Sequence, residues 1–131
     1  MPAPSSRPLS PHLTIWRWGP HMLISILHRV TGGALTVAGL AVLSWFLLAL
    51  SGSASGFDTF AHAAQSVPGT IVLVGLTWAF WQHLLSGLRH VVLDIGAGYA
   101  LPTNRFFSVL ILFAAPFLTA LTWALLEGMI K

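Results

Sequence analysis

Three long stretches of this chain contain no Asp, Glu, Lys or Arg: between Arg29 and Asp58, between Asp58 and Arg89, and between Arg105 and Glu127. Each holds at least the roughly 20 apolar residues that a helix needs to cross a bilayer. The runs lack the period-two alternation and short turns of barrel strands, so helices are the remaining way to satisfy backbone groups in lipid. The pattern predicts an all-α integral membrane protein with three transmembrane helices, at about Met22–Leu50, Pro68–Ile95 and Phe106–Met129.

Composition agrees with that solvent, since 56% hydrophobic and 7% charged residues leave too little polar surface to coat a water-soluble domain. Residues 1–21 are predicted to form an N-terminal interfacial segment ahead of a transmembrane domain at 22–131. Met1 to Gly19 contains four prolines and no apolar core. It matches neither a cleavable signal sequence nor an amphipathic Arg- and Ser-rich transit peptide. Pro20 suits the first turn of a helix, where a missing backbone donor costs nothing.

Positive residues flanking the spans set the orientation. Arg7, Arg17 and Arg29 precede or begin the first span, and Arg89 and Arg105 bound the second loop, whereas the first loop, Ser51 to Val67, offers only Asp58 and His62. The N-terminus and second loop are therefore expected on the cytoplasmic side, with Lys131 as the exception. A bacterial inner membrane is favoured over a mitochondrial one by the missing transit peptide.

The net charge of +3 changes little, because six basic residues scattered along the membrane margins form no stripe that could neutralise phosphates of a nucleic acid. Trp16, Trp18, Trp45 and Trp123 fall near predicted interfaces as an aromatic belt, and the deeper Trp78 and Trp81 read as packing residues. The chain has no cysteine, which excludes iron–sulfur clusters and covalent c-type haem. Walker and dinucleotide fingerprints are missing too. A small transporter would need an internal repeat or broken helices, and neither is evident.

Ionisable residues inside a span are expensive in hydrocarbon and mark functional sites. Two clusters stand out, Ser25-Ile-Leu-His28-Arg29-Val-Thr-Gly32 and His83-Leu-Leu-Ser-Gly87-Leu-Arg89-His90-Val-Val-Leu-Asp94. In the second, steps of four, three and four residues align His83, Gly87, His90 and Asp94 on one stripe of a helix. A neutral imidazole with glycine one turn away makes His83 a half-site for b-type haem, set against the plainer reading of a histidine that bonds a neighbouring helix. A rise of about 1.5 Å per residue puts His83 roughly 10 Å deeper than His90. Because the first span runs the opposite way, Ser25, His28 and Arg29 reach the depth of Arg89, His90 and Asp94. Ser25 and Arg29 share a face and offer a hydroxyl and a cation to a quinone carbonyl; the competing readings for Arg29 are snorkelling or pairing with Asp94. Gly32-Gly33 and Gly39 offer close helix contacts.

These two motifs, with Arg7-Pro-Leu-Ser-Pro-His12-Leu before them, give a chain that resembles the cytochrome b subunit of succinate dehydrogenase over nearly its whole length. The resemblance implies a membrane anchor of respiratory complex II, not catalytic alone, lodged in the bilayer beside a flavoprotein, an iron–sulfur subunit and a smaller anchor subunit. It implies haem b shared with that smaller subunit, with His83 as this chain's axial ligand to the iron and His28 and His90 near the propionates. It also implies ubiquinone as substrate, bound at Ser25 and Arg29, with Asp94 as a proton relay or as the group that orients Arg29. Two alternatives stay open: a haem held within the chain by His28 and His90, and a purely structural, non-haem anchor.

Overall fold

The structure, a computed structural model, describes His12 and residues 17–130. The proline-rich interfacial segment expected at residues 1–21, with its Arg7-Pro-Leu-Ser-Pro motif, lies mostly outside the described residues. We label the helices α1 (Pro20–Ser51), α2 (Ala54–Gln65), α3 (Val67–Asp94) and α4 (Leu101–Ile130). Among the described residues there is no strand, and α1, α3 and α4 are each long and apolar enough to cross a membrane. The chain is an all-α, multi-pass membrane protein.

The spans start and stop close to where the uncharged runs predict, with two differences. Residues 54–65, expected as part of a loop, form α2. This short helix packs Phe60 edge-on against Trp45 (ring centres 5.2 Å apart) and obliquely against Phe46 (5.4 Å), covering the far half of α1. α4 begins at Leu101 rather than near Phe106, because polarity ends a span without ending a helix: Asn104 and Arg105 occupy its first turns. The corner between α2 and α3 is a single residue. Ser66 donates to the Ala63 carbonyl (2.6 Å) and accepts from the Gly69 amide (3.2 Å), so it closes one helix and caps the next. A Cβ on Gly69 would collide with the Ala63 carbonyl oxygen, so the tight corner depends on glycine.

α1 contains a widened turn at Leu35–Gly39 between its two α-helical parts, Pro20–Ala34 and Leu40–Ser51. Thr36 Oγ1 donates back to the Gly32 carbonyl at 2.9 Å beside it. Such π-turns are rare and concentrate at functional sites; this one begins two residues after the Gly32-Gly33 pair.

Where the three spans meet, the arrangement of a soluble protein is inverted. Leucine, valine and phenylalanine side chains face outward, while the interior seam holds Thr31, Gln82, Ser86, Ser108 and Thr119 beside Ile24, Ala79, Ile111 and Ala115. Lipid offers helices no hydrophobic reason to associate, so small residues and interhelical hydrogen bonds hold them. Buried hydroxyls meet their own needs by donating one turn back, as Ser108 does to Asn104 (2.7 Å) and Thr119 to Ala115 (2.8 Å). Two tryptophans cross-link α3 and α4: Trp81 Nε1 donates to Thr122 Oγ1 (3.1 Å), and Trp123 Nε1 donates to Thr77 Oγ1 (3.3 Å). Trp78 and Trp81 were expected as packing residues, and for Trp81 the structure adds this bond. Replacing Thr122 by valine should strand the Trp81 donor and cost about 1–2 kcal/mol, read as a lower midpoint in thermal unfolding of the detergent-solubilised protein.

Candidate functional site

α1 and α3 run antiparallel, and their polar clusters interlock. The His28 ring lies flat on the His83 ring, with centres 4.0 Å apart and planes 7° from parallel, and 4.8 Å from the His90 ring. The contact is possible because both helices carry glycine there. A Cβ on Gly32 would lie 2.8 Å from His83 Cε1, and one on Gly87 would sit 3.5 Å from His28 Cε1. Of the glycines expected to give close contacts, Gly32 does so; Cβ atoms on Gly33 or Gly39 would meet no other helix of this chain.

The hydrogen bonds fix one common tautomer for the three histidines. His83 Nδ1 faces the His28 carbonyl at 3.0 Å, with Thr31 Oγ1 at 3.4 Å. A carbonyl can only accept, so this nitrogen carries the proton and Nε2 keeps its lone pair. His90 Nδ1 likewise donates to the Ser86 carbonyl at 2.7 Å. His28 Nδ1 lies 2.9 Å from Ser86 Oγ, whose own proton is committed to the Gln82 carbonyl at 2.5 Å, so His28 is again the donor. Each imidazole is therefore held by Nδ1 and keeps its lone pair on Nε2. That is the arrangement in which a backbone or side-chain acceptor orients a metal-ligating histidine from behind.

The three rings do not converge on a common ion: among the described residues no group of three or more His, Asp or Glu side chains could hold a metal. The geometry also disfavours His28 and His90 as a self-contained pair. Two imidazoles holding one metal from opposite sides need their nitrogens about 4 Å apart, twice a metal–imidazole bond of about 2 Å, and their ring centres, each about 1 Å behind its nitrogen, about 6 Å apart. The observed 4.8 Å between ring centres leaves no room.

Ser25 is half-buried and donates to the His21 carbonyl at 3.2 Å, and Arg29 is exposed. At 100° per residue both lie to one side of His28, on an edge of α1 turned away from α4. Asp94 closes α3 and is exposed. Among the described residues no hydrogen bond or ion pair joins it to Arg29. A carboxylate at a helix C-terminus works against the helix dipole, so fold stability gives no reason for one there. Ser86 and Thr31 belong to the site although the sequence reading assigned them no role. Both lie inside the quoted motifs, three residues after a histidine, and that spacing was the available signal.

The described residues thus form a multi-pass helical membrane protein that holds three imidazoles by their Nδ1 atoms, with a serine and an arginine beside them. Comparison with known proteins narrows this. A model of the succinate dehydrogenase/fumarate reductase transmembrane subunit matches residues 3–122. The succinate dehydrogenase cytochrome b556 subunit of Paracoccus denitrificans is 44% identical over 93 residues, 71% of each chain. That of Rickettsia felis is 34% identical over 119 residues, covering 91% of this chain and 92% of the relative. The mitochondrial cytochrome b560 subunit of Sus scrofa is 37% identical over 103 residues, 75% of this chain and 59% of the relative. The chain belongs to the family of succinate dehydrogenase and fumarate reductase transmembrane subunits, and within it matches the cytochrome b subunit of succinate dehydrogenase.

Proposed function

We propose that this chain is the larger membrane anchor of a succinate:quinone oxidoreductase, holding one side of a haem b and one wall of a ubiquinone site. It has no catalytic activity alone. It works with a flavoprotein, an iron–sulfur subunit and a smaller anchor subunit in a bacterial inner membrane, its N-terminus on the cytoplasmic side. The observation that carries the haem assignment is the His83 Nδ1 bond to the His28 carbonyl, which leaves Nε2 as a lone-pair donor. His83 would hold the haem iron from this chain, with the smaller anchor supplying the second ligand. With Nδ1 also engaged, His28 and His90 can donate through Nε2 to a propionate when doubly protonated. When bound, haem b supplies a one-electron redox centre within the bilayer. Thr31 and the His28 carbonyl hold the ligand's proton on Nδ1, and Gly32 leaves the ring its place.

At the quinone site, reduction adds two electrons and two protons and builds negative charge on the carbonyl oxygens. The Arg29 guanidinium stabilises that charge, and the Ser25 hydroxyl, once turned from the His21 carbonyl, donates to the oxygen and sets its direction. Asp94 suits a proton relay better than an orienter of Arg29, since it is exposed at the end of α3 and unbonded to Arg29.

Membranes in which the chain is produced with its partner subunits should give a b-type Soret band and a dithionite-reduced α-band; no haem bound to the assembled complex would remove the reading. A finer test is Gly32→Ala. The added methyl crowds His83 Cε1, so the low-spin EPR signal should shift and haem retention fall by about tenfold, while the complex still assembles.

A further inference from the structure

Arg89 is the polar group of the second motif that neither proposed site uses. At about 100° per residue, its neighbours Leu85, Leu88 and Val92 lie 140–200° around α3 from His83, on the face turned away from the histidines. There Arg89 reaches α4 and donates through Nη2 to Asn104 Oδ1. Its Nε and Nη1 are buried and have no partner. A guanidinium shut away from water with donors unmet is costly, so an acceptor carrying negative charge is called for. Within the described residues none bonds it: Asp94 is exposed at the end of α3, and Asp58 and Glu127 belong to the opposite end of the bundle.

Beside the guanidinium lies a cavity of about 230 Å³ between α3 and α4. Apart from Arg89 and Asn104 its walls are apolar, and Leu88, Val92, Phe107 and Leu110 are 41–55% exposed at its rim, so it opens toward hydrocarbon. Arg105, exposed in the first turns of α4, adds a second positive charge at this end. An occupant must therefore combine an apolar tail with an anionic oxygen at a membrane margin. Basic pockets between transmembrane helices recognise lipid headgroups by this combination.

We propose that the α3–α4 groove is a phospholipid site, in which Arg89 holds the phosphate through charge-assisted hydrogen bonds and an acyl chain lies against Leu88, Val92, Phe107 and Leu110. It is separate from the haem and quinone faces and stands whether or not those assignments do.

The test uses the whole complex, purified in mild detergent and weighed by native mass spectrometry. The wild-type complex should retain one phospholipid more than either Arg89→Gln or Leu110→Trp, which fills the groove. After delipidation, phosphatidylglycerol should rebind to the wild type and not to Arg89→Gln, with haem content unchanged throughout. Equal lipid retention in all three forms would overturn the proposal. So would saturation of the site by inorganic phosphate alone, or lipid lost from Leu110→Trp but fully kept by Arg89→Gln. Should Arg89→Gln not assemble, because a partner carboxylate holds the guanidinium, Leu110→Trp decides: an unchanged lipid count refutes the site.

Discussion

Replacing His83 by leucine is expected to lower the haem-to-protein ratio of the assembled complex by at least about tenfold and to remove its bis-histidine low-spin EPR signal. Leucine is close to histidine in volume and is itself apolar, so α3 should still insert and pack. What it deletes is the Nε2 lone pair that the Nδ1 bond to the His28 carbonyl leaves free. His28 and His90 cannot take over as a pair, because their ring centres are 4.8 Å apart and each ring is tied at Nδ1 to Ser86. An unchanged spectrum in His83→Leu would mean that the iron is held elsewhere.

Arg29→Leu is expected to lower succinate–ubiquinone reductase activity by about 10²-fold, the usual effect of removing one preplaced donor to a developing oxyanion, and to leave succinate-to-soluble-dye transfer intact. The division between the two assays is what identifies the residue's role. Arg29 is exposed, so its loss leaves no cavity and no orphaned partner inside the bundle. Equal loss of both activities would point to failed assembly and would sink the quinone assignment.

The three spans could be read from the sequence because charge is excluded from the bilayer so strongly that uncharged runs outline the helices. α2 could not: its residues, with Asp58, His62 and several small polar side chains, are ordinary loop composition, and what orders them is Phe60 seating against Trp45 and Phe46. At the site, spacing alone put His83, His90 and Asp94 on one stripe, but it set His28 level with His90 and apart from His83, whereas the His28 ring lies 4.0 Å from the His83 ring and 4.8 Å from that of His90, because side chains reach along the helix axis as well as across it. It did not reveal which nitrogen of each ring would be engaged, since that depends on the Ser86 carbonyl and hydroxyl and on a backbone carbonyl of the opposite helix. Nor did it show that Asp94 and Arg29 would be unbonded, because helical phase gives direction but not reach. The orphaned donors of Arg89 were likewise beyond reach, being a matter of what does not lie nearby.

The inverted interior has a consequence for how such a chain pairs with a partner. Its fold leaves Arg29 exposed within α1 and Asp94 exposed at the end of α3, and a charged side chain left uncovered in a bilayer carries a penalty of about 3 kcal/mol near the centre, less toward the margins. A solitary copy therefore bears a polar penalty that a covering partner relieves. Pairing with a partner that covers these two residues would then add stability beyond the contacts it makes.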